Sequence, residues 1–129
     1  MKQFPKLGFH DSDLTVLQYS SGELLLRFEG VQDFRSKYQQ SDFELTFFGV
    51  RQIYIDNLPA LSLEMESPDA DAYRLDISEH EVDMFIYLEW YEPRRTLPRS
   101  IRFTFDSVLL KYLGRNECDE NDGELDTTE

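Results

Sequence analysis

The chain has 129 residues, with 26 acidic against 13 basic side chains and a net charge of −13 at pH 7. An apolar fraction of 40%, including ten Phe and seven Tyr, excludes intrinsic disorder for the body of the chain. The acidic balance disfavours nucleic acid and anionic membrane surfaces as partners, and a single cysteine excludes an internal disulfide.

Alternation dominates from the first structured segment. In Asp13 to Tyr19, Leu14 and Val16 are expected on one face and Thr15, Leu17 and Tyr19 on the other, with Ser20-Ser21-Gly22 supplying a tight turn. Glu23 to Glu29 sets Leu24, Leu26 and Phe28 against polar neighbours and completes a hairpin. Phe43, Leu45 and Phe47 repeat the pattern up to Gly49, which reads as a bulge or turn. Val50 to Ile55 forms the next strand, ended by Asn57-Leu58-Pro59 because proline lacks a ladder donor. Leu61, Leu63 and Met65 alternate again until Ser67 to Asp71 interrupts with turn residues, and Tyr73, Leu75 and Ile77 make a short strand. Val82 to Tyr91 alternates well, although Ser78-Glu79-His80-Glu81 has the form of a helix capping box. Its β-branched and aromatic content favours strand. Ile101, Phe103 and Phe105 form a further strand, and Val108 to Leu113 either continues it or forms a short terminal helix.

Seven or eight strands with short turns predict a mainly β fold, an antiparallel sandwich or curved sheet with at most one or two short helices, α+β if both helical alternatives hold. One β-rich domain is expected over 1–113. The segment 114–129 has one large apolar residue, Leu125, and is expected to be an acidic disordered tail. Cys118 lies there and offers no cysteine-based metal cage. Met1 to Lys6 has no apolar h-region, and no run approaches the ~20 apolar residues of a spanning helix, so a cytoplasmic location is expected.

Catalytic signatures are weak. Phe9-His10-Asp11-Ser12-Asp13 contains base, orienter and nucleophile types, but adjacent residues on extended chain point to opposite faces and cannot form a relay by themselves. Capping of backbone donors at the entry to the first strand by Asp11, Ser12 or Asp13, with His10 a satisfied polar residue, explains the motif more simply. His80 is the second histidine, and neither has regularly spaced ligand companions. Asp69-Ala70-Asp71 lacks the glycine and terminal glutamate of a calcium loop and reads as an acidic turn. No phosphate loop, nucleophile elbow or zinc-protease motif occurs, and no cofactor is expected.

The charge is laid out in blocks. Asp56 to Glu92 holds eleven acids against Arg74, whereas Pro93 to Leu113 holds five bases against Asp106. Within the acidic block, Asp83, Phe85, Tyr87, Glu89 and Tyr91 fall on one side of the expected strand. Aromatic anchors with a carboxylate rim suit a basic protein partner. The candidate binding residues are Glu64, Glu66, Asp76, Glu81, Asp83, Tyr87, Glu89 and Tyr91. An ordinary second core layer plus a solvated face is the competing explanation.

Phe9-His10-Asp11-Ser12, Leu14-Thr15-Val16-Leu17, Glu23-Leu24-Leu25-Leu26-Arg27-Phe28 and Leu45-Thr46-Phe47-Phe48-Gly49-Val50 with Ile53 together resemble the immunity proteins of bacterial polymorphic toxin systems, in particular the immunity protein 50 family. The resemblance covers roughly the first half of the chain. It implies a cytoplasmic, non-enzymatic protein that binds and neutralises a cognate toxin, and it supplies no catalytic residues. The alternatives are an acidic adaptor or assembly subunit, and a small β-fold hydrolase using His10 and carboxylates.

Overall fold

The computed structural model of the chain describes residue 4, residues 7–34 and residues 39–115. Among them are ten strands and no α-helix, so the mainly β expectation holds; β1 (Leu7–Gly8) is the shortest strand. The two strands of the expected hairpin, β2 (Ser12–Ser20) and β3 (Glu23–Asp33), are joined through Ser21 and Gly22 at φ +51° and +81°, a turn whose twist matches the strands. Within β2 the expected facing is wrong past Leu14. The pairing with β3 slips between Leu14 and Val16, and this bulge at Thr15 lets Leu14 and Leu17 both point into the core.

Next come β4 (Gln39–Phe48) and β5 (Arg51–Ile55). The expected break at Asn57-Leu58-Pro59 is instead a second hairpin. Asp56 and Asn57 at φ +52° and +68° turn the chain into β6 (Leu58–Ala60), where Pro59 is tolerated because β6 is an edge. Residues 61–68 form no strand, contrary to the alternation of Leu61, Leu63 and Met65; Leu63 is buried while Leu61 stands out in solvent. The segment expected as a turn from Ser67 to Asp71 already contains the start of β7 (Asp69–Ile77), which leads to β8 (Glu81–Tyr91). The Ser78 to Glu81 spacing closes this hairpin rather than a helix: the Ser78 backbone N–H and hydroxyl both donate to the Glu81 carbonyl, at 2.9 and 3.1 Å. The chain ends in β9 (Arg94–Thr104) and β10 (Ser107–Arg115), so Val108 to Leu113 is strand, and Gly114 and Arg115 belong to it. The tail expectation for 116–129, Cys118 included, lies outside the described residues.

All ten strands join one antiparallel sheet in the order β10-β4-β3-β2-β7-β8-β9-β5-β6, with β1 beside β3. The count exceeds the expected seven or eight because β1 and β6 are too short to leave a periodic signal. The sheet is bent sharply on itself. Phe48 stands opposite Ser107, and three residues on in each direction Arg51 stands opposite Thr104, so one register carries the β4–β10 ladder across a corner into the β5–β9 ladder. Strands that turn a corner in this way fold a sheet over its own inner face. At that corner Gly49 takes φ +70°, and a Cβ there would overlap the Asp106 carboxylate, which Arg51 holds through two hydrogen bonds of 2.8 and 3.1 Å.

The core lies between the folded halves. Phe28, Phe43, Phe47, Phe103 and Phe105 are fully buried, each contributing roughly 1.5–3 kcal/mol through removal from water. Phe47 meets Phe103 and Phe105 edge-on at 5.2 and 5.0 Å, which joins strands from both sides of the corner. Because Val82, Met84, Ile86 and Leu88 fill this core, the intervening side chains of β8 are forced outward.

Candidate protein-interaction face

The outward side of β8 carries Glu81, Asp83, Phe85, Tyr87, Glu89 and Tyr91 on one stripe. On β7 the pairing slips between Ala72 and Arg74, and the extra residue at this bulge, Tyr73, projects onto the same surface with 54% of its area exposed. Tyr73, Phe85 and Tyr87 form a three-ring cluster, with centroids 5.4–6.1 Å apart and all three pairs edge-to-face. Such packing fixes the rings while leaving Tyr73 open to a partner.

Carboxylates surround the cluster in two unlike groups. On one side, Arg74 pairs with Asp76 at 3.5 Å and Asp83 at 3.4 Å, and these two acids stand directly opposite each other on β7 and β8. On the other side, the cross-strand row Glu29, Asp13, Asp71, Tyr87 runs over β3, β2, β7 and β8, with Asp69 opposite Glu89 one step along. Among the described residues none of Glu29, Asp13, Asp69, Asp71 and Glu89 forms an ion pair. Burial, then the charges of Asp69, Asp71, Glu89 and Glu29, push the Asp13 carboxyl above the ordinary carboxylate range. Burial, followed by Asp11 and Asp69, does the same to Asp71. The Tyr91 hydroxyl donates to Asp69 Oδ2 at 2.8 Å, and this bond foremost raises the Tyr91 phenol above its usual value.

Of the eight candidate residues, the fold gathers Asp76, Glu81, Asp83, Tyr87, Glu89 and Tyr91 on this face and separates Glu64 and Glu66 from it. Those two lie in the 61–68 connection and line a 460 Å³ hollow with Arg99, which stands opposite the core-facing Ile86. Arg99 donates to Glu66 and to Asp56, each at 3.1 Å. Asp13, Asp69, Asp71 and Tyr73 also belong to this face, although the sequence pattern assigns Asp13 to capping, Asp69 and Asp71 to an acidic turn, and Tyr73 to a short strand. Asp13 belongs to a strand far away in sequence, and the alternation of Tyr73, Leu75 and Ile77 places Tyr73 on the face of Leu75, whereas the bulge turns it outward.

Beside the face, His10, Asp11, Tyr73 and Arg74 line a shallow hollow of 300 Å³. Ser12 is buried and its hydroxyl donates to the Phe9 carbonyl at 2.6 Å, so it closes a turn on a backbone acceptor rather than capping a donor, while the Asp11 N–H donates across to the Ala72 carbonyl of β7. His10 is exposed to solvent. Among the described residues no group of three or more His, Cys, Asp or Glu is arranged to hold a metal ion, and no helix is long and apolar enough to cross a membrane. No family model, curated protein or solved structure matches the chain.

Proposed function

We propose that the chain is a binding protein whose outward β7–β8 face captures a basic protein and thereby neutralises it, the role that the resemblance to toxin immunity proteins implies. The observation that supports this reading is the placement of a partly exposed aromatic cluster beside five carboxylates that no cation of the described residues neutralises. Like charges directly opposite one another on neighbouring strands destabilise a sheet. A partner that brings lysines or arginines relieves that repulsion on binding, while Tyr73 and Tyr87 give it apolar area at little entropic cost. Exclusion from the partner's own site then follows from occupancy alone, with no chemical step on this chain.

The test uses the protein captured from the native cell by the full chain and measures association and dissociation rates across salt. Asp71→Lys with Glu89→Lys should slow association about tenfold or more at ~0.01 M salt, where the Debye length is ~30 Å, and much less at ~1 M, where it is ~3 Å. Tyr73→Ala and Tyr87→Ala should instead speed dissociation, each by on the order of 1–4 kcal/mol for a central anchor. Rates indifferent to salt and to the double reversal would place binding on another surface.

A further inference from the structure

Acids that stand directly opposite one another on neighbouring strands recur on the outer face of the sheet, and the chain treats them in three ways. Asp76 and Asp83, opposite each other on β7 and β8, are bridged by one guanidinium: Arg74 reaches Asp76 through Nε at 3.5 Å and Asp83 through Nη2 at 3.4 Å. Asp69, opposite Glu89, is held by donors other than a cation, its Oδ1 accepting from the Ala70 N–H at 2.9 Å and its Oδ2 from the Tyr91 hydroxyl at 2.8 Å. Asp13, which stands opposite Asp71 on one side and Glu29 on the other, is treated in neither way, and nor is Asp71. Among the described residues no cation pairs with Asp13 or Asp71 and no hydrogen-bond donor reaches either carboxylate; burial and the surrounding acids act on both.

The surroundings of this pair select the kind of cation that would join it. Asp71 also stands directly opposite Tyr87, so Asp13, Asp71 and Tyr87 form one row across three strands, with neighbouring Cβ atoms about 4.5–5.5 Å apart. A planar group held at Asp71 lies beside the Tyr87 ring, inside the ~6 Å over which a ring face attracts a cation. The aromatic cluster leaves faces over: Tyr73, Phe85 and Tyr87 meet edge-to-face, and three such pairs cover at most three of the six faces that three rings possess. A lysine ammonium is a compact, strongly hydrated point charge. A guanidinium is flat and weakly hydrated, carries donors enough for two carboxylates at once, and stacks on rings. Partly buried acids beside an aromatic ring therefore suit the guanidinium better.

We propose that Asp13, Asp71 and Tyr87 form a receptor for one arginine side chain of the captured protein, its guanidinium bridging the two carboxylates as Arg74 bridges Asp76 and Asp83 and lying against the tyrosine ring. This site rests on the capture reading of the face: long-range charge draws the partner in, and an arginine in preference to a lysine seats it.

Blocked single residues are the probe. N-acetyl-arginine amide and N-acetyl-lysine amide, titrated at constant low ionic strength into the isotope-labelled full chain, should shift the amide resonances of Asp13, Asp71 and Tyr87, with the arginine probe binding about threefold or more tighter. Asp71→Asn should weaken both probes, whereas Tyr87→Leu should bring the two affinities together. Equal affinities in the unaltered chain, or shifts centred away from Asp13 and Asp71, overturn the site. The protein captured from the cell judges the capture reading separately. If its binding depends on salt and on Asp71→Lys with Glu89→Lys while the probes show no preference, the arginine site fails and the capture surface stands. If the probes select arginine at this row while the captured protein ignores that reversal, the guanidinium site is supported and the capture reading is what fails.

Discussion

Asp71 shows how a single residue joins fold and function. Its backbone belongs to the short ladder that ties β2 to β7, and its carboxylate faces Asp13 across that ladder. Because burial and neighbouring acids raise its folded pKa above the ordinary 3.8, the proton it binds stabilises the fold below that value, and the stability is lost as pH rises through the folded pKa. At neutral pH the ionised group is therefore a net load on the fold. Asp71→Asn should raise the thermal midpoint at pH 7 by the equivalent of a few tenths of a kcal/mol, solvent screening keeping the gain small. The gain should shrink on acidification and vanish below about pH 3.8, which thermal melts of both proteins across pH will read. The same substitution should slow partner association at low salt, so one variant separates the stability of the face from its use.

At the scale of elements, bulges and corners decide what the strands display. The slip at Ala72–Arg74 delivers Tyr73 to the surface, and the slip at Leu14–Val16 keeps Leu17 in the core. The 61–68 connection is secured differently, by Leu63 in the core and by Arg99, whose guanidinium reaches Glu66 while also holding Asp56 of the β5–β6 turn. Exposed ion pairs contribute little to global stability, usually up to ~1 kcal/mol. Arg99→Ala should therefore lower the midpoint only slightly, yet it removes the side chain that ties two separate segments to β9. Hydrogen exchange should show faster exchange confined to residues 56–68, with β3, β4 and β8 unchanged. Uniform loss of protection across the sheet would mean that Arg99 supports the whole fold.

The molecule as a whole is a strongly negative sheet folded round an aromatic core. Its five bases between Pro93 and Leu113 are spent differently from what their block in sequence implies: Arg99 pairs with Asp56 and Glu66, Arg102 sits over the Tyr54 ring at 5.3 Å, and Arg95 sits over Trp90 at 4.1 Å. Glu29, Asp13, Asp69, Asp71 and Glu89 are left to repel one another. Raising salt from ~0.01 to ~0.5 M should raise the thermal midpoint of the isolated chain, since screening relieves self-repulsion more than it weakens a few exposed pairs. A midpoint that falls with salt would show that the ion pairs outweigh the repulsion.

Alternation by itself determined the strand character of most of the chain, because a period of two is imprinted wherever one side of a strand is buried, as in Leu24-Leu26-Phe28 and Val82-Met84-Ile86-Leu88. It also placed Tyr87, Glu89 and Asp83 on a common outward stripe, since residues two apart on one strand share a face wherever that strand packs. Alternation misled at 61–68, where the same apolar spacing occurs without a neighbouring strand to supply the ladder. Only the tertiary structure decided that Asp13 joins Asp69, Asp71 and Glu89, that Glu64 and Glu66 stand apart with Arg99, and that β10 pairs with β4 alone among the described residues. The reason is physical: cross-strand neighbours, bulges and edges are set by which strands pair and in what register, and that choice belongs to the core packing of the whole chain rather than to any local stretch of it.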